Sequence, residues 1–75
     1  MAFKTSQELM HDANRLETRI MALVNQIDAA YKLVYGGFDN DTVIVNLQKI
    51  TAYELTVARL ERDLAKVDDR LANGA

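Results

Sequence analysis

The chain has no cysteine, no proline and no tryptophan, a single histidine, and three glycines among its 75 residues. Without cysteine there is neither a disulfide to brace a small domain nor a thiolate to ligate zinc or attack a substrate. With one histidine, a multi-histidine metal site or a Cys-His pair cannot be built within one chain. The only serine, Ser6, lies close to the N-terminus with no base spaced to activate it, and the glycines form no phosphate-cradling motif. The expectation is a non-enzyme with no catalytic residue and no cofactor. No apolar run approaches the about 18 residues of a membrane span, and Met1 to Glu8 contain nothing like the apolar centre of a signal peptide. The expected compartment is the cytoplasm, or a host cytoplasm or virion if the chain is phage-derived, with no membrane partner. Nine Lys and Arg against eleven Asp and Glu give a net charge of -2, which excludes neither nucleic acid nor protein partners.

What is present is pattern. Hydrophobic residues make up 49% of the chain and charged residues 27%, the balance of a folded domain. The apolar positions Leu9, Ala13, Leu16, Ile20, Leu23, Ile27, Ala30 and Val34 step by four and three, as do Val43, Asn46 or Leu47, Ile50, Tyr53, Val57, Leu60, Leu64, Val67 and Leu71. Folded back about Phe38, the two series pair: Val34 with Val43, Ala30 with Leu47, Ile27 with Ile50, Leu23 with Tyr53, Ile20 with Val57, Leu16 with Leu60, Ala13 with Leu64 and Leu9 with Val67. With no proline to interrupt either arm, the spacing predicts an all-α antiparallel helical hairpin: helix 6–34, turn 35–41 with Gly36-Gly37, helix 42–72. Thr5 or Ser6 with Glu8 suits the first helix start, Asp39 to Thr42 the second, and Asn73-Gly74 the final stop.

A second layout competes at the turn. Lys32-Leu33-Val34-Tyr35 and Thr42-Val43-Ile44-Val45 are short β-prone runs around a glycine loop. Read as strands, they give helix 6–30, a β-hairpin, and helix 46–72. The unbroken heptad register through Val34 and Val43 favours the all-helical layout.

A domain this small gains little from one core, so association into a helical bundle is expected, through a homo-oligomer or another protein. Apolar residues off the seam crowd the half nearest the turn, and a two-helix layer has only one internal face to bury them. The candidate protein-interface residues are Met21, Val24, Tyr31, Leu33, Ile44, Leu47 and Leu55, with Phe38 in the turn. They point to an adaptor, a chaperone-like protein, a structural subunit or an inhibitor.

Two other constellations carry weaker signals. Glu8-x-x-His11 has the spacing that di-iron bundles use in pairs, and Asp68 and Asp69 lie opposite Glu8 in the hairpin. Glu8 and His11 occupy outward heptad positions, so no metal site is assigned. Arg15, Arg19, Arg59, Arg62 and Lys66 come together across both arms as candidates for nucleic-acid contact, in the manner of an RNA-binding helical-hairpin dimer. Acidic residues are interleaved with them and no aromatic lies among them to stack on bases, which favours an ordinary solvated face.

In layout, with two helices and a short turn, and with Leu47-Gln48 and Tyr53 in its second arm, the chain resembles the small helical subunits and chaperones of bacterial type III secretion needles. Its turn lacks the proline usual in needle subunits. The helix, hairpin, helix layout resembles instead the small head-to-tail joining proteins of tailed phages, and the hairpin dimer resembles a plasmid copy-number repressor in architecture. The first two resemblances imply an assembly part, the third an RNA-binding protein.

Overall fold

The computed structural model describes residues 4–74. Two helices, α1 (Ser6–Tyr35) and α2 (Asn40–Ala72), run antiparallel in a rod measuring 53 × 16 × 16 Å. The all-α hairpin expected from the heptads is what forms, with α1 one residue longer and α2 two residues longer at the turn than the spacing indicated.

The β-hairpin layout is not adopted, and both β-prone runs are helical. A hydrogen bond at Asp39 helps to account for this. Its carboxylate accepts from the Thr42 N–H at 3.1 Å and caps α2, so that Thr42-Val43-Ile44-Val45 becomes the first turns of a helix. Branching at Cβ costs a few tenths of a kcal/mol per residue in a helix. Keeping Val34 and Val43 half-buried in the seam offsets it. The threonines further along are accommodated in the same way as in other helices: the Thr51 and Thr56 hydroxyls donate to the carbonyls of Leu47 and Ala52 one turn earlier.

The open end is capped by a reciprocal pair. Thr5 Oγ1 accepts from the Glu8 N–H at 3.2 Å while Glu8 Oε1 accepts from the Thr5 N–H at 3.4 Å. At the turn, Gly37 has φ +80°, a conformation that favours glycine. Gly36 is needed for space instead, because a Cβ there would fall 2.7 Å from the Phe38 ring and 2.8 Å from the Lys32 carbonyl oxygen.

The seam follows the heptads with one exception. Leu9, Ala13, Ala30, Ile50 and Leu60 are buried, and the remaining seam positions are half-buried. Leu47, paired with Ala30 in the sequence reading, is 45% exposed, and Asn46 takes its place at 6%. From Val43, only 46 then 50 continues the strict three-and-four alternation that runs on through Tyr53 to Leu71; 47 then 50 is the more apolar choice but breaks it, and the structure follows the spacing. Asn46 is tolerated inside because its Nδ2 donates to the Thr42 carbonyl at 2.8 Å within its own helix. Its neighbour across the seam by register is Ala30, so the second layer from the turn, between Val34 with Val43 and Ile27 with Ile50, is polar and small where the open end has Leu9, Leu16 and Leu60.

Candidate protein interface

With the seam positions fixed, the heptad assigns every other residue to a side of the rod. On one side α1 presents Val24 and Tyr31 beside the seam, with Met21, Asp28 and Tyr35 outside them. From α2 the same side receives Leu47, Glu54 and Glu61, with Ile44 and Thr51 outside them. A hydrogen bond across the two helices confirms the pairing, since the Tyr31 hydroxyl donates to Glu54 Oε1 at 3.0 Å. This is called the tyrosine flank. On the opposite side, α1 presents Asp12, Arg15, Arg19 and Leu33, and α2 presents Val45, Lys49, Arg59, Asp63, Lys66 and Arg70. Asp12, Arg15 and Arg19 line one open groove together with Asp63 and Val67 of α2, which confirms the second pairing. This is the arginine flank.

The sequence-derived interface residues therefore divide. Met21, Val24, Tyr31, Ile44 and Leu47 share the tyrosine flank. Leu55 sits at its rim on the outer face of α2, where it lines a shallow apolar depression with Leu47, Gln48, Thr51 and Ala52. Leu33 belongs to the arginine flank, and Phe38 folds against Gly36 in the turn. Most of this apolar surface is open: Met21 is 67% exposed, Ile44 52% and Leu55 69%. Tyr31 is half-buried and already engaged, stacked on Tyr35 with ring centroids 6.0 Å apart and planes 9° from parallel. Hydrogen bonding to Glu54, and that carboxylate's charge, push the Tyr31 phenol above its usual pKa. Val45, another of the off-seam apolar residues near the turn in the sequence, is exposed on the arginine flank, while Tyr35, and Met10 farther from the turn, extend the exposed apolar surface beyond the residues singled out from sequence.

Charge separates the flanks as sharply as shape. The tyrosine flank carries Glu17, Asp28, Glu54, Glu61 and Asp68 and neither lysine nor arginine. The arginine flank gathers Arg15, Arg19, Lys49, Arg59, Lys66 and Arg70 against Glu8, Asp12 and Asp63. Of the nucleic-acid candidates, Arg15, Arg19, Arg59 and Lys66 lie together there, while Arg62 lies on the outer face of α2. Among the described residues the ion pairs within 4 Å are Lys4–Asp12 and Lys32–Asp28, so none of these five cations is held by a carboxylate. Lys4 hydrogen-bonds to Asp12 and holds its carboxyl below the usual range.

Glu8 is occupied in the Thr5 cap, and among the described residues no group of three or more His, Cys, Asp or Glu side chains is arranged to hold a metal ion. Among the described residues no helix is long and apolar enough to cross a membrane. No family model matches the chain, and no curated protein or solved structure matches it.

Proposed function

We propose that the chain is a non-catalytic interaction protein, serving as an assembly subunit, adaptor, chaperone-like protein or inhibitor in the cytoplasm, and that it docks its partner on the turn-proximal half of the tyrosine flank. One observation carries this reading: Met21, Val24, Ile44 and Leu47 are all exposed on the same side of a hairpin whose only internal face is already filled by the seam. Contiguous apolar surface rimmed by charge is the usual mark of a protein interface. The double variant Ile44→Asp/Leu47→Asp tests it, because both side chains are exposed and the helices do not depend on them. Light scattering after size exclusion should show loss of association with helicity by circular dichroism retained. Association unchanged in that variant would sink the proposal.

The clustering of Arg15, Arg19, Arg59 and Lys66 on the opposite flank supports a second reading, a dimer that binds RNA through phosphate contacts. A poly(U) titration separates the two, because only phosphate contacts give RNA binding whose affinity falls steeply as salt rises.

A further inference from the structure

We propose that the partner is a second copy of this chain, and that copies stack side by side with their turns pointing the same way, the tyrosine flank of one against the arginine flank of the next. This rests on the reading of the tyrosine flank as an interface and names its occupant.

The two flanks match level by level along the rod. Near the turn the tyrosine flank presents Tyr35, Ile44 and Leu47, and at the same height the arginine flank presents Leu33 and Val45. About two-thirds of the way to the open end the tyrosine flank presents Glu17 and Glu61, and the arginine flank presents Arg15, Arg19 and Arg59. Stacked in register, apolar side chains meet apolar ones near the turn, and Glu17 and Glu61 meet a level where Arg15, Arg19, Arg59 and Lys66 outnumber Asp12 and Asp63, its guanidinium groups having no ion-pair partner among the described residues of their own chain. A flank of a rod 53 Å long and 16 Å wide offers on the order of 800 Å² per partner, the size of a standard stable interface.

Two-fold pairing of like flanks does not achieve this. Two tyrosine flanks side by side with turns together set Glu17 and Glu61 against their own copies. Reversing one of them sets the acidic half against the apolar half. Two arginine flanks face Arg15, Arg19 and Arg59 with the same residues. Like charges disfavour the two same-direction pairings, and carboxylates desolvated against apolar side chains disfavour the reversed one. The unlike pairing leaves one free flank of each kind at the ends of the stack, so it grows until it closes into a ring or continues as a filament.

Charge reversal on one flank at a time tests the proposal. Arg15→Glu/Arg59→Glu turns the arginine flank acidic, and Glu17→Arg/Glu61→Arg turns the tyrosine flank basic; all four positions are exposed, and circular dichroism checks that the helices remain. By light scattering, the native chain is expected to form multiples of 8.4 kDa that shrink with added salt, and each reversed variant is expected at the mass of one chain. Mixing the two variants, or placing all four substitutions in one chain, restores the large species. An assembly that survives Arg15→Glu/Arg59→Glu but is lost in Ile44→Asp/Leu47→Asp overturns the stacking and keeps the tyrosine flank as an interface. Assembly indifferent to both overturns the two readings together. A native chain of 8.4 kDa at every concentration also overturns the stacking, and a poly(U) titration of that monomer, lost in the arginine variant, would reassign the arginine flank to RNA.

Discussion

The two halves of this rod invert each other. Toward the open end the seam holds Leu9, which is 1% exposed, with Leu16, Leu60 and Val67, and the surface is charged. Toward the turn the seam keeps Ile27 with Ile50 and Val34 with Val43 but narrows between them to Ala30 against Asn46, and apolar bulk also lies outside, at Tyr35, Ile44, Val45 and Leu47. One half is built to hold the hairpin together and the other to offer surface. Burying apolar area inside stabilises a chain on its own, whereas leaving it outside contributes only when something covers it. The turn-proximal half is thus the part whose stability association would raise.

The sharpest break of that contrast is a cavity in the half that holds. Leu60→Ala removes a buried side chain from the open half and should cost about 3 kcal/mol, read as a fall in the urea midpoint of the isolated chain. In a domain this small such a loss removes much of the total stability. Leu47→Ala, in the half that offers surface, should leave the midpoint of the isolated chain nearly unchanged and act only on association. Equal losses from the two substitutions would abolish the distinction between the halves.

The contrast can also be evened out from within. Asn46 occupies a seam position at the cost of burying an amide, and a single polar residue at such a position is a known device for fixing register at the expense of stability. Asn46→Leu fills the same layer with an apolar side chain against Ala30 and should raise stability by about 1 kcal/mol in thermal or urea unfolding. The expected accompaniment is a looser choice of partner geometry, seen as a broader mass distribution in light scattering. A fall in stability would mean that the Asn46 hydrogen bond to the Thr42 carbonyl contributes more than the amide's burial costs.

Much of this architecture is legible in the sequence because it is short-range. The three-and-four spacing from Leu9 to Leu71, the Thr5–Glu8 cap, the Asp39 cap and the glycine turn are each written in residues a few positions apart. Asn46 was legible in the spacing, which alternates three and four through it without a break, but not in hydropathy, since its acceptability inside depends on a hydrogen bond one turn back. The candidate interface was legible only in part. Apolar residues gathered by their position along the chain mix two sides of the rod, which is how Leu33 was grouped with Tyr31 although they sit on opposite flanks. The signal that separates them was available in the heptad positions flanking the seam, where one side collects carboxylates alone and the other most of the cations.

The helix starts extend the comparison of the two halves to pH. At the open end the cap acceptor is the Thr5 hydroxyl, which does not titrate, supported by Glu8. At the turn it is the Asp39 carboxylate, and hydrogen bonding from Thr42, side chain first and backbone second, holds its pKa below the ordinary 3.8. A carboxyl depressed in the folded state contributes stability that is fully present above its unfolded value and is lost as pH falls through the folded value. Acidification below about pH 4 should therefore loosen the start of α2 next to the turn. Asp12, depressed by Lys4 at the open end, titrates in the same window, so the native curve alone cannot assign the effect. Asp39→Asn separates them, because asparagine caps a helix about as well as aspartate but carries no proton to gain. The Tm of the variant should fall less than that of the native chain between pH 5 and pH 2, and amide exchange at Thr42 and Val43 should become insensitive to pH-induced opening of the cap. If the two Tm curves run parallel, Asp39 acts as a neutral acceptor and its charge does nothing for the turn-proximal half.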